Sequence, residues 1–209
     1  MKKLLKIGAE AEVYLTNFLG LKVVVKKRLK KPYRIEEVDA MIREQRTKRE
    51  IKIMHLAKSL GVNTPVVIFS DIKNGIIVME YIEGETLKSL LEKSTEDYVL
   101  RIIKRLGELV GTLHSNSIIH GDLTPANIIV DNLTGEIFFI DFGLSEISND
   151  TRLKAVDIHV FKESLKTLTD RYEILMDAFV EGYSKTCPES SKVLKLEHEI
   201  ERMGRYVRG

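Results

Sequence analysis

The run Ile118-Ile119-His120-Gly121-Asp122-Leu123-Thr124-Pro125-Ala126-Asn127-Ile128-Ile129-Val130, followed downstream by Ile140-Asp141-Phe142-Gly143, constrains this chain more than any other feature. Two apolar, strand-like runs each present an acid at one end, and an amide follows the first acid by five residues. Asp141 comes 19 residues after Asp122. That is the layout needed to hold a magnesium-bound triphosphate and to orient a hydroxyl or water toward its terminal phosphate. Asp122 is the candidate base or orienting group, and Asn127 and Asp141 are the candidate magnesium ligands. Read as structure alone, Asp122 and Asn127 would be turn residues around Pro125. Each motif can arise by chance; the two in order, each flanked by strands, seldom do.

The remaining organisation predicts strands first and helices afterwards. Val13-Tyr14-Leu15 and Leu21 to Lys26 read as strands separated by a turn at Asn17 to Gly20. A helix is predicted from about Ile35 to Leu60, with Glu50, Ile53, Met54 and Ala57 on one face and Gly61 and Pro65 ending it. Val66 to Phe69 and Ile76 to Tyr81 form a predicted hairpin around Asn74-Gly75. Past Glu83-Gly84 the pattern turns helical: Val99, Ile102, Ile103, Leu106, Leu109, Val110 and Leu113 make one unbroken apolar stripe. Two short strands near Ile128 to Val130 and Ile137 to Ile140 interrupt it, and everything past about Val156 reads as helix. The order implies two lobes joined by a short hinge near Glu80 to Gly84.

Three further groups complete a candidate phosphotransfer site. Lys26 ends the strand Val23-Val24-Val25-Lys26, where a buried lysine needs an anionic partner. With Lys27 and Arg28 beside it, an outward-facing edge lysine is the competing reading. Glu50 supplies the partner, since it lies on the apolar face of its helix, whereas Glu44 neighbours Thr47, Lys48 and Ile51 on a face read as mostly wet. Gly8-Ala9-Glu10-Ala11-Glu12-Val13-Tyr14 has small residues that let backbone amides approach phosphates, with Val13 able to cover an adenine ring; taken in isolation, a plain hairpin turn is the stronger reading.

Composition excludes several classes. No apolar run reaches the roughly 20 residues needed to cross a bilayer, and the basic start Met1-Lys2-Lys3 lacks the features of a signal peptide. The lone Cys187 suits a reducing cytoplasm and reads as a structural thiol. His55, His114, His120, His159 and His198 show no metal-ligand spacing; His120 is expected to fix the catalytic loop through a backbone hydrogen bond. A net charge of +2 does not by itself argue for nucleic acid. The end, Arg202-Met203-Gly204-Arg205-Tyr206-Val207-Arg208-Gly209, carries three arginines and no acid, and taken alone reads as a solvated tail.

With Lys26, Glu50, Glu80-Tyr81-Ile82, His120-Gly121-Asp122, Asn127 and Asp141-Phe142-Gly143 in place, the chain resembles the protein-kinase-like superfamily. The resemblance implies an α+β fold in a single domain, 1–209, with an N-terminal β-rich lobe (1–82) and a reduced helical C-terminal lobe (83–209). It also implies adenine hydrogen bonds from the backbone of Glu80 and Ile82, and a nucleotide site of Gly8, Ala9, Glu10, Ala11, Val13, Lys26, Glu50, Asn127 and Asp141. Two departures narrow it: Gly121 stands where eukaryotic-type kinases carry Arg, and Thr124 where they carry Lys. Only 66 residues follow Gly143, which implies no ordinary activation segment.

Gly8-Ala9-Glu10-Ala11, Tyr33-Arg34, Arg46-Thr47-x-x-Glu50, Lys154-Ala155-Val156-Asp157 and Asp141-Phe142-Gly143-Leu144-Ser145 are together similar to the small atypical PRPK-type kinase of the KEOPS (EKC) complex. That resemblance implies an ATP- and magnesium-dependent kinase and ATPase supporting threonylcarbamoylation of the adenosine beside the tRNA anticodon. It further implies a large carbamoyl-transferring subunit on the C-lobe, a small subunit on the N-lobe, and tRNA contact through Arg202, Arg205 and Arg208. A small-molecule phosphotransferase of the aminoglycoside- or choline-kinase type and a pseudokinase scaffold are the alternatives.

Overall fold

The computed structural model describes residues 2–8 and 10–207, the last four by backbone alone. The N-terminal part is a five-stranded antiparallel sheet: β1 (Lys3–Ile7), β2 (Ala11–Phe18), β3 (Leu21–Arg28), β4 (Val67–Asp71) and β5 (Ile76–Glu80), in the order β1-β2-β3-β5-β4. The β2–β3 hairpin turns on Leu19 and Gly20, with φ 51° and 81°. Two successive positive φ values match the twist of the flanking strands. Strand β1 and the extension of β2 to Ala11 lie outside the predicted strands. Every residue of β1 is exposed, so it lacks the period-two burial that marks a strand in sequence.

Helix α1 (Glu36–Ser59) packs against β5 and residues 142–147, and buries Asp39, Arg43, Thr47, Glu50, Ile53, Met54 and Ala57. Only its second half is apolar there. In the first half Arg43 Nε donates to Asp39 Oδ2 at 2.8 Å, so the buried face is held by charge pairing. Thr47 is fully buried, which corrects the reading of its face as wet: its hydroxyl is satisfied by the Arg43 carbonyl at 2.7 Å.

The predicted change to helix after Gly84 is delayed by a strand, β6 (Gly84–Thr86), which pairs with β8 (Ile128–Asp131), itself paired with β9 (Ile137–Phe139). Helices α2 (Leu87–Lys93) and α3 (Glu96–Ser115) follow β6. Two-residue strands β7 (Ile118–Ile119) and β10 (Glu146–Ile147) form a further small sheet, and α4 (Thr151–Leu168), α5 (Tyr172–Thr186) and α6 (Ser190–Val207) complete the chain. The arginine-rich end is therefore the last turns of α6 as far as Val207, and Arg208 lies outside the described residues.

All seven residues of the predicted α3 stripe are buried, against Phe161, Phe179, Tyr183 and their neighbours. Helices α3 and α5 approach so closely that a side chain at Gly107 would collide with the Phe179 carbonyl, and one at Gly182 with the Lys104 carbonyl. Cys187 is buried. Between sheet and helices the chain leaves β5 at Glu80, whose N–H donates to the Val66 carbonyl at 2.9 Å while its carboxylate accepts from Val66 N–H at 3.0 Å. The sheet end of this connection is thus fixed, and a cleft opens beside it.

Candidate active site

Strand alternation places Lys26 and Arg28 on the inward face of β3, at 7% and 4% exposure, with Lys27 turned outward. Lys26 Nζ donates to Glu50 Oε1 at 2.6 Å and to Asp141 Oδ1 at 2.6 Å. Arg28 Nη2 donates to the other oxygen of Glu50. Burial works against the charge on Lys26, but the Glu50 and Asp141 carboxylates outweigh it and raise its pKa. Burial likewise opposes the charge on Asp141, and Lys26 overrides it and lowers the pKa. Arg28 was not among the expected site residues. The signal was its two-residue spacing from Lys26, masked by the intervening Lys27.

Asp141 adopts a left-handed conformation (φ 63°, ψ 65°) and begins the 3₁₀ turn Phe142–Leu144. Phe142 is fully buried, with its ring 4.8 Å from that of His120. Asn127 closes the short turn Pro125–Asn127 and is 3% exposed. Its Nδ2 donates to the Asp122 carbonyl at 2.9 Å and to Asp122 Oδ2 at 2.8 Å. The Asn127 side chain thus holds Asp122 in place through its amide nitrogen, and its amide oxygen takes no part in that contact. An amide oxygen and the Asp141 carboxylate are hard oxygen donors of the kind magnesium prefers, so the residues fit that ion.

The loop that carries Asp122 is held from below by Asp157, a residue marked in the sequence only as part of a family-like stretch. Asp157 on α4 is 1% exposed; its Oδ2 accepts from His120 N–H at 2.6 Å and its Oδ1 from Gly121 N–H at 2.8 Å. Its i−3 neighbour Lys154 is also buried, so one face of α4 carries charge inward. His120 Nδ1 accepts from Asp122 N–H at 3.3 Å, the expected backbone bond, and burial lowers the ring's pKa. Gly121 explains the missing arginine: its φ is +79°, and any Cβ would strike the Leu144 carbonyl.

A cavity of about 260 Å³ lies between sheet and helices. Leu5, Val13, Val24, Met79, Ile129 and Ile140 make its walls apolar, Glu80 and Ile82 edge it, and Lys26, Glu50, Asn127 and Asp141 stand at its polar end. A second chamber of about 300 Å³ continues past Lys26 and Asp141 to Asp122, under Gly8, Glu10 and Ala11. The Gly8 N–H donates to the Ala11 carbonyl at 2.9 Å, closing the loop into a tight turn, and Ala9 lies outside the described residues. Arg46 Nη1 donates to Glu10 at 2.7 Å and so ties this loop to α1. The expected set is brought to one cleft, apart from Ala9.

A β-rich roof, a helical base, an apolar slot and this polar end define a protein-kinase-like phosphotransfer site. The protein kinase domain model matches residues 2–164. The chain is 42% identical to the KEOPS complex subunit Bud32 of Pyrococcus abyssi, over 98% of this chain and 96% of that one. A probable serine/threonine-protein kinase BUD32 homolog of Archaeoglobus fulgidus is also 42% identical, over 96% and 95%. A probable bifunctional tRNA threonylcarbamoyladenosine biosynthesis protein of Methanocaldococcus jannaschii is 39% identical over 96% of this chain, which spans 36% of that longer protein. The chain belongs to the Bud32 family of protein kinases.

Proposed function

We propose that the protein is the ATP-dependent kinase and ATPase subunit of a KEOPS complex and supports threonylcarbamoyladenosine formation beside the tRNA anticodon. The relatives' names support the assembly and its product. The observation that carries the chemistry is Lys26 gripping Glu50 and Asp141 at 2.6 Å each, at the polar end of an apolar slot. Adenine occupies the slot against Val13 and Val24, with the backbone of Glu80 and Ile82 as its hydrogen-bonding edge. Lys26, ordered by Glu50, turns to the phosphates, and the turn at Gly8, Ala9, Glu10 and Ala11 covers them.

Asn127 and Asp141 would hold magnesium, which supplies charge neutralisation on the phosphates. Asp122, fixed by Asn127, accepts the proton of a Ser/Thr hydroxyl or orients a water. Thr124 offers no cation to the transferred group, and residues 144–150 make a very short link to α4. Both features favour water over a peptide as the usual acceptor. The two lobes, 1–82 and 83–209, act as one domain. The large carbamoyl-transferring subunit docks on the C-lobe and the small subunit on the N-lobe, with tRNA contacted by Arg202, Arg205 and Arg208, in the cytoplasm. Among the described residues no helix is long and apolar enough to cross a membrane.

The test is a magnesium-dependent ATPase assay with wild type, Asp122→Ala and Asp141→Ala. Each substitution should lower turnover by about 10²-fold or more. Full activity in both folded variants would remove the chemistry from these two carboxylates, and wild type without magnesium-dependent turnover would reduce the protein to a scaffold.

A further inference from the structure

The charge cluster around Glu50 contains one cation with no task in the chemistry proposed so far. Arg28 is buried, at 4% exposure, and its grip on Glu50 is the contact that places it. Its Nε is buried without a hydrogen-bond partner among the described residues, so no network of its own holds the guanidinium. Each oxygen of Glu50 therefore carries its own cation, Lys26 on Oε1 and Arg28 on Oε2.

The cluster is compact and balanced: Glu50 and Asp141 against Lys26 and Arg28. The vacant Cβ position of Gly143 lies 3.1 Å from Asp141 Oδ1, 3.3 Å from Arg28 Nη2 and 3.6 Å from Lys26 Nζ. Nucleotide binding disturbs that balance. Lys26 is drawn toward phosphate oxygens and Asp141 toward a cation. Glu50, only 1% exposed, then loses part of its compensation in a low-dielectric surrounding where a lone carboxylate is strongly disfavoured.

We propose that Arg28 is the resident counter-ion of Glu50, a positioning residue that keeps this carboxylate compensated and in place while Lys26 is released to the nucleotide phosphates. Arginine suits the task, since its guanidinium never deprotonates and is weakly hydrated, so burial is less costly than for an ammonium. Arg28 does not touch the phosphates in this assignment. It sets how much of Lys26 is available to them. The assignment rests on the ATP-binding reading, and its test separates the two.

The experiment titrates a fluorescent ATP analogue, with magnesium, into wild type, R28M, R28K, E50Q and the R28M/E50Q double variant, with a thermal melt of each. R28M should bind at least roughly tenfold more weakly than wild type, because Lys26 is then held by Glu50. R28K, which keeps the charge, should recover most of that loss. In the E50Q background the carboxylate charge is gone, so R28M should change affinity little. Wild-type affinity in folded R28M overturns the assignment, as does an equal loss in both backgrounds, which would make Arg28 a direct phosphate ligand. If R28M does not fold, E50Q against R28M/E50Q decides in the same way. Absence of nucleotide binding by wild type would instead overturn the ATP-binding reading, and this assignment with it.

Discussion

Lys26 Nζ lies 2.6 Å from Asp141 Oδ1, a contact that bridges 115 residues and joins β3 to the loop after β9. The pair makes the nucleotide-free protein sensitive to acid. Asp141 has its pKa lowered from 3.8 in the folded state. Its contribution to stability is present above that ordinary value and is lost as pH falls through the lower folded one. Thermal melts of nucleotide-free protein should therefore fall less steeply below about pH 4 in Asp141→Asn than in wild type. Parallel slopes would mean that the contact contributes nothing to stability.

In the proposed chemistry Asn127 would join metal binding to base orientation, because one side chain both faces the cleft and donates twice to Asp122. On that reading Asn127→Ala would remove a cation ligand and free Asp122 at the same time. The magnesium concentration for half-maximal ATPase should rise about tenfold or more, with turnover reduced even at saturating metal. A normal magnesium curve with reduced turnover would leave Asn127 only the orienting role.

The candidate site was legible where the proposed chemistry needs fixed spacings. Asp122, Asn127 and Asp141 stand in fixed order, and the offset of Glu50 on its helix face named the partner of Lys26. Long periodic elements were legible too, notably the α3 stripe. What escaped depends on tertiary contact. Strands β6, β7 and β10 have two or three residues each, too few to show a period, and exist because a partner strand is brought beside them. Arg28 and Asp157 are charged residues whose burial follows from what packs around them. Thr47 was misplaced for the same reason, since helical spacing gives a residue's neighbours and leaves open which face the sheet covers.

The glycines between α3 and α5 are structural, which gives a prediction outside the cleft. Gly182 lies against the Lys104 carbonyl with no room for a Cβ, so Gly182→Ala forces the helices apart. Chemical denaturation should show a loss of about 1–3 kcal/mol. ATPase per folded molecule should stay within about twofold of wild type, since Gly182 does not line the cleft and structural changes of this kind act on the folded fraction. Unchanged stability would mean that the α3–α5 packing relaxes freely around the added methyl.

The arginine-bearing end of α6 is carried by an ionic seam to α4. Lys162 donates to Glu201 at 2.7 Å, Lys166 to Glu201 at 2.7 Å, and buried Glu197 takes His159 at 3.2 Å. These contacts fix the direction in which the helix delivers Arg202. Removing residues 202–209 leaves Glu197 and Glu201 in place and should preserve basal ATPase while weakening its stimulation by tRNA. Undiminished stimulation would remove RNA contact from this end of the chain.

Asp157 offers the sharpest separation between holding the loop and doing the chemistry. Its two oxygens accept the N–H groups of His120 and Gly121, and its Oδ2 lies 3.3 Å from His114 Nε2, so one buried carboxylate organises the segment that presents Asp122. Asp157→Asn keeps the size but leaves one former acceptor position as a donor facing a backbone N–H. Hydrogen bonds to a charged group are worth about 1.5–3 kcal/mol each, so a loss of that order is expected in denaturant unfolding. Turnover should fall by about tenfold or more, because a misplaced base costs rate steeply. Nucleotide affinity should change little, since Asp157 lies beneath the loop and does not line the cleft. Equal losses in affinity and turnover would mean that the whole cleft depends on this carboxylate, and the assignment of Asp157 to the loop alone would fail.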